Sequence, residues 1–155
     1  MKKRIGLLMV GVLLIFGCVG CSKEQIKNVE VETTAKFELD KSNVTELITI
    51  DGGYSVNEFN FGSYKASITN VSGYDMASVN IKYEYTDADG NINNTYLSTY
   101  NLLESGASSK VIDTLGGSDN MKPVFLEIVL INKSGDKHYV KYDYNTNKIE
   151  SEFDC

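Results

Sequence analysis

The sequence predicts an all-β protein: an immunoglobulin-like antiparallel β-sandwich of about seven strands, preceded by a signal peptide and a flexible tether. Three observations lead there. Val79, Ile81, Tyr83 and Tyr85 alternate with Asn80, Lys82, Glu84 and Thr86, the period of a strand with one apolar face. Turn residues recur roughly every 8–12 residues from Lys36 onward. No stretch combines a helical apolar period with helix caps.

The first segment, residues 1–21, has the order of a secretory signal. Met1-Lys2-Lys3-Arg4 is a basic head, Ile5 to Phe16 is uncharged and apolar, and Gly17-Cys18-Val19-Gly20-Cys21 closes it with small residues. The apolar run is shorter than the roughly 20 residues a spanning helix needs. The cysteines at its end resemble the lipobox of bacterial lipoproteins, in which a lipid-modified Cys becomes the first mature residue. Cys18, with Ile15 three before it and Gly17 immediately before it, is the favoured lipid-anchor position, and Cys21 is the alternative. A multi-chain lipid there would hold the protein stably on a membrane, which one acyl chain does not.

Residues 22–35 are polar, charged and free of turn signals, and read as the tether. Coil statistics give such a segment a reach of roughly 20 Å. Residues 36–155 then form a single β-domain, long enough to bury roughly two-thirds of its surface without staples. Leu47 to Ile50 reads as a short strand closed by Asp51-Gly52-Gly53. Tyr64, Ala66 and Ile68 belong to the next strand, which ends at Asn70-Val71-Ser72-Gly73. Val79 to Thr86 and Ile92 to Tyr100 form a hairpin around Asp87-Ala88-Asp89-Gly90-Asn91. Ser108 to Leu115 reads as a strand between glycines. Val124 to Ile131, apolar almost throughout, is the central strand, and Pro123 stands at its start, where a missing N–H does least harm. Lys137 to Tyr144 follows, with Tyr139 or its neighbours covering the core.

Several of these segments together resemble the FxLYD domain: Ser67 to Asp75, Val79 to Asp87, Asp89-Gly90-Asn91 and Asn101 to Gly106. The naming motif falls on Tyr83-Glu84-Tyr85-Thr86-Asp87, with Tyr83 for Phe, Tyr85 for Leu, and Thr86 in place of the aromatic residue. The similarity runs over residues 64 to 115. It implies a small β-sandwich of the kind found in bacterial lipoproteins and exported proteins, and it brings no catalytic site with it.

Charge narrows the partners. The chain is −6 overall, and the basic head contains its sole arginine. Without Lys2, Lys3 and Arg4, 12 lysines face 21 acidic residues, a net charge of −9. Such a surface argues against nucleic acid, whose binding draws on basic patches. It also argues against docking on anionic lipid headgroups. Outside the signal region only Cys155 remains, so the domain has no disulfide framework, as suits an inert terminal thiol. The Asn-, Lys- and Ile-rich composition points to a low-GC Gram-positive bacterium, with the protein on the outer face of its cell membrane.

No residue pattern points to catalysis or to a resident cofactor, so the expectation is a non-enzymatic binding or accessory module for an envelope protein or glycan. His138, the single histidine, is expected at the surface or on an edge. Asp87 to Asn91 clusters oxygens, yet lacks the Gly and Glu positions of a calcium loop and reads as a hairpin turn. Tyr83, Tyr85, Tyr96, Tyr100, Tyr142 and Tyr144 are the candidate binding face, since tyrosine is common in recognition surfaces. Tyr96 and Tyr100 also carry the spacing of surface haem binders. Small-ligand binding, to haem, metal or glycan, is therefore the alternative. An exposed sheet edge would also accept a partner strand.

Overall fold

The computed structural model describes residues 37–40, 42–59 and 61–155; the signal segment, the tether, Cys18 and Cys21 lie outside the described residues. A 3-10 turn at Val44–Leu47 leads into eight strands. They are β1 (Ile48–Val56), β2 (Gly62–Asn70), β3 (Asp75–Thr86), β4 (Ile92–Thr99), β5 (Ile112–Asp113), β6 (Lys122–Ile131), β7 (Lys137–Asp143) and β8 (Lys148–Asp154). All pair antiparallel, in a three-stranded sheet of order β1-β2-β5 and a five-stranded sheet of order β4-β3-β6-β7-β8. The protein is a β-sandwich.

Its core is what the period-two pattern dictates. Val79, Ile81 and Tyr83 of β3, Leu97 of β4, Leu126, Ile128 and Leu130 of β6, and Val140 of β7 turn inward. Ala66 and Ile68 of β2 meet them from the other sheet. The apolar run of β6 makes it the middle strand of five, as its composition predicts. Pro123 is its second residue and sits opposite Tyr83, beside a register shift between Lys82 and Tyr83, the kind of irregularity that tolerates a missing N–H.

Four expectations need correction. Asp51-Gly52-Gly53 does not close the first strand; β1 runs through it to Val56. Gly52 lies so close to the Lys65 carbonyl and Ala66 that a Cβ would collide with both, so this glycine serves close strand approach rather than a turn. The segment Ser108–Leu115 is strand only at Ile112–Asp113. There the side-chain hydroxyls of Ser109 and Thr114 accept from the backbone N–H groups of Ile68 and Tyr64, at 2.9 Å each, in place of ladder carbonyls. Strand β8 is not among the expected strands, although Lys148, Glu150, Glu152 and Asp154 alternate with Ile149, Ser151 and Phe153.

The fourth correction follows from the third. With β8 outside it, β7 is not an edge, and His138 is buried. Its Nδ1 lies 2.7 Å from Asp154 Oδ1 and its Nε2 3.1 Å from Glu152 Oε1, while its ring stacks on Phe37 at 4.9 Å. A histidine between two carboxylates and one aromatic ring ties the last strand and the first described residues to β7.

The same end of the sandwich has a second polar anchor. Asn70, fully buried, donates from Nδ2 to Tyr74 O and Leu103 O, both at 2.8 Å. Its Oδ1 accepts from the Ser72 N–H at 3.0 Å and the Ser72 hydroxyl at 2.7 Å. Every hydrogen-bonding site of the amide is used. Asn70→Ala strands buried carbonyls and an N–H, and is expected to lower unfolding free energy by about 2–3 kcal/mol. Chemical denaturation measures it.

Candidate functional site

Six tyrosines were the candidate binding face, and the structure divides them. Tyr83, Tyr85, Tyr142 and Tyr144 turn inward and fill one end of the sandwich. The Tyr83 ring lies 6.0 Å from that of Tyr64, and burial, then the neighbouring phenols of Tyr64 and Tyr144, push its ionisation well above the usual tyrosine range. Tyr142 meets Tyr144 edge-on at 5.3 Å, and burial pushes the Tyr144 phenol up as well. The Tyr85 hydroxyl occupies the space a Cβ on Gly116 would need, where the backbone has φ of +88° and calls for glycine on its own account. Tyr83 belongs to the buried core, Tyr142 and Tyr144 pack half-buried against it, and Tyr85 is half-buried with its hydroxyl beside Gly116.

Tyr96 and Tyr100 are the exposed pair. They are not gathered into one recess. Tyr100 lines a shallow hollow of about 470 Å³ with Ser98, Asn101, Lys110 and Val111, whereas Tyr96 stands on the outer face of β4, 6.5 Å from the Phe125 ring. The Asp87 carboxylate is occupied by its own turn: it accepts from the backbone N–H groups of Asn91 and Asp89 and from Asn93 Nδ2. The bond from the Asn91 N–H is the main reason its ionisation is held low. Among the described residues no group of three His, Cys, Asp or Glu side chains is placed to hold a metal, and no helix is long and apolar enough to cross a membrane.

Tyr96 leads to the surface that does carry a pattern. Residues alternate along each strand, so the side chains opposite the core cover the outer face of the five-stranded sheet. The register sets them in rows. Tyr96 of β4 stands beside Lys82 of β3, which stands beside Phe125 of β6. One step along, Ser98, Asn80 and Glu127 are neighbours, followed by Lys141 of β7. Next to these, Tyr139 stacks on Phe153 of β8 at 4.8 Å.

The polar members form a ladder across four strands. Ser98 Oγ donates to Asn80 Oδ1 at 2.6 Å, and Asn80 Nδ2 donates to Glu127 Oε2 at 2.7 Å. The Tyr139 hydroxyl donates to Glu127 Oε1 at 3.0 Å. Such a chain of bonds holds each side chain in one rotamer. Two lysines frame Phe125, with Lys141 Nζ 4.9 Å and Lys82 Nζ 5.7 Å from the ring centroid. Lys141 also bonds Glu150 at 2.7 Å, which raises its ionisation. The result is a flat face of four aromatic rings, two half-exposed (Tyr96 at 49% and Phe153 at 54%), around a pre-ordered polar strip.

Chemically, this face can stack a planar or ring-shaped ligand and offer it both donors and acceptors. A hollow at the end of the sandwich, about 580 Å³ and lined by Tyr74, Asp75, Ser105 and Asn132, is a weaker candidate because its polar groups are engaged with one another. Asp75 accepts from the Ser105 N–H, Asn132 donates to Asp136, and the Tyr74 hydroxyl accepts from the Glu38 N–H.

Phe125, Phe153, Lys82 and Lys141 are absent from the residues the sequence proposed, and of Tyr139 and its neighbours it is Val140 that covers the core while Tyr139 lies outside against Phe153. A signal for Phe125 exists. Glu127, amid an otherwise apolar strand, marks one side of β6 as open, and Phe125 and Val129 share that side.

No family model matches this chain, and no curated protein matches it. Among solved structures, Northeast Structural Genomics Consortium target SoR45 aligns at 12% identity and a TM-score of 0.31, over 69% of this chain and 82% of that one. That likeness carries no argument about function.

Desolvation, then the bond and charge of Glu127, push the Tyr139 phenol up to about 12 from an ordinary value of 10.0. The raised value sets the sign of its contribution to stability: full below about pH 10, and lost as pH rises from there through 12. Tyr139→Phe is expected to remove that part of the alkaline stability loss in denaturation series across the window. Glu127→Gln is expected to return the phenol towards 10, read by tyrosinate absorbance against Tyr139→Phe.

Proposed function

We propose that this chain is a non-enzymatic binding module, held on the outer face of a bacterial cell membrane by lipid on Cys18, with Cys21 the alternative, and resembling the FxLYD domain. Its ligand is a component of the cell envelope. The class that fits the outer face of the five-stranded sheet is a glycan. The observation that carries this reading is the array of Tyr96, Phe125, Tyr139 and Phe153 around the Ser98–Asn80–Glu127 ladder.

Sugar rings present apolar C–H faces and equatorial hydroxyls. Aromatic rings take the first by stacking, and a fixed strip of amide, carboxylate and hydroxyl groups takes the second. Lys141 is paired with Glu150, and Glu127 lies between the lysines and Tyr139, so the face has no strong charge bias and suits an uncharged polymer. The acidic balance of the rest of the chain keeps it off nucleic acid and anionic lipid.

Two measurements test this. Cell-wall polysaccharide immobilised on beads is expected to retain the protein. Tyr96→Ala and Phe153→Ala, at exposed positions where folding is little affected, are each expected to weaken retention by about tenfold, the effect of roughly 1.4 kcal/mol. Equal retention of wild type and both variants sinks the glycan reading. Metabolic palmitate labelling is expected to be lost in Cys18→Ala and kept in Cys21→Ala; the reverse result moves the anchor.

A further inference from the structure

The two sheets differ in width, three strands against five, and the difference lies on one side. At the β4–β5 side they match: Thr95 of β4 donates to the Leu115 carbonyl just past β5, and Tyr64 of β2 meets Tyr83 of β3. Counting across from there sets β1 over β6, with β7 and β8 facing no strand among the described residues. Phe37 covers His138 at one end of this open strip. Towards the other end the inward side chains Tyr142, Tyr144 and Ile149 are only half-buried.

The border of that strip is the free edge of β1. The Asn57 N–H donates to the Phe61 carbonyl, and the Val71 N–H to the Leu47 carbonyl. By the alternation of an antiparallel ladder, odd-numbered residues of β1 therefore bond β2. Ile50, Gly52, Tyr54 and Val56 direct their N–H and C=O groups away from it. From Asp51 to Val56 every residue is exposed.

Nothing in β1 blocks pairing. The outermost strand of the wide sheet on the same side, β8, carries Lys148, Glu150, Glu152 and Asp154 and has a register shift opposite it, all devices that discourage strand addition. Strand β1 has no proline, no lysine and no bulge, and Asp51 is its single charge.

We propose that the free edge of β1 between Ile50 and Val56 receives one extended segment of a partner protein, which adds a fourth strand to the narrow sheet and lies over Tyr142, Tyr144 and Ile149. The geometry defines its chemistry. Alternate residues facing the strip are apolar and small enough to lie on the two tyrosines. The residues between them face solvent on the Asp51 side, where a lysine or arginine complements both that carboxylate and the net charge of −6. A second copy of this chain does not fit. Antiparallel pairing of β1 with β1 would bring the copy's own β6 and β3 into the volume that β7 and β8 already fill. This edge is separate from the outer face of the five-stranded sheet, and the proposal does not rest on the glycan reading.

The probe is the acetylated, amidated peptide Lys-Val-Thr-Val-Lys-Val-Thr, titrated into the full chain in detergent micelles and followed by amide NMR. Saturable shifts and new exchange protection are expected at Ile50, Gly52, Tyr54 and Val56, with contacts from the valines to Tyr142 and Ile149. Tyr54→Pro removes an N–H that faces the free edge and leaves the β1–β2 ladder intact, so binding is expected to weaken by about tenfold. Tyr54→Ala keeps the N–H and is expected to bind. The same peptide with N-methylated alternate amides is expected to fail, which keeps the test sharp should the proline variant not fold. Shifts confined to Tyr96, Phe125 and Phe153, or no saturable shift, overturn the proposal. Protection of the four β1 amides before any peptide is added also overturns it, since the chain's own residues would then hold the edge.

Discussion

The cross-strand packing of Val79 on Ile128 and Ile81 on Leu126 fixes the direction of every other side chain in the five-stranded sheet. A strand repeats every two residues, so a slip of one place would carry Leu126, Ile128 and Leu130 into water and draw Phe125, Glu127 and Val129 inside. Burying Glu127 without a partner would cost several kcal/mol, far more than a stretched turn could return. One glutamate thus protects the register of the central strand. The same residue is the hinge of the outer polar ladder, so the constraint that defines the core also assembles the face opposite it.

The ends of the sandwich are held by different chemistry. At one end the backbone turns sharply between β2 and β3, and the loop after β4 must be pinned to it. Buried carbonyls there need donors, which Asn70 supplies, and His138 ties Asp154 and Glu152 of the last strand to Phe37 among the first described residues. At the other end the interior is filled with Tyr64, Tyr83, Tyr85, Tyr142 and Tyr144. Tyrosine suits a tapering rim, because its ring packs and its hydroxyl reaches water or a neighbour. Among the described residues no buried side-chain nitrogen or oxygen lacks a partner, which is what a single ordered interior requires.

This division explains what was legible in the sequence. Strands β2, β3 and β7 are readable from the alternation of their two faces, β4 from the hairpin turn before it, and β6 from its nearly continuous apolar run. The tyrosines are legible as a set but not by face: composition cannot distinguish an inward Tyr83 from an outward Tyr96, and only the register of β3 against β4 separates them. Strand β8 escaped because a strand over an open strip gains little from apolar residues on either face. His138 was misread for that reason alone, since its two carboxylate partners stand on the strand that went unseen. The loop at 108–115 looked like a strand because Ser109 and Thr114 do a strand's bonding with their side chains.

An open sheet edge whose single charge is Asp51 has to be kept from pairing with a copy of itself. Strand pairing between copies needs the two edges to meet along several residues. For β1 the overhang of β7 and β8 prevents this, because the wide sheet projects past the narrow one on that side. Net negative charge adds a long-range repulsion between copies that acts before any contact forms. Shape and charge therefore oppose the pairing of two β1 edges without lysine or proline in β1 itself, and neither opposes a thin, basic segment. The features that keep the edge from its own kind are thus the ones that would select the proposed partner, which is the form specificity takes when rejection and recognition share one surface.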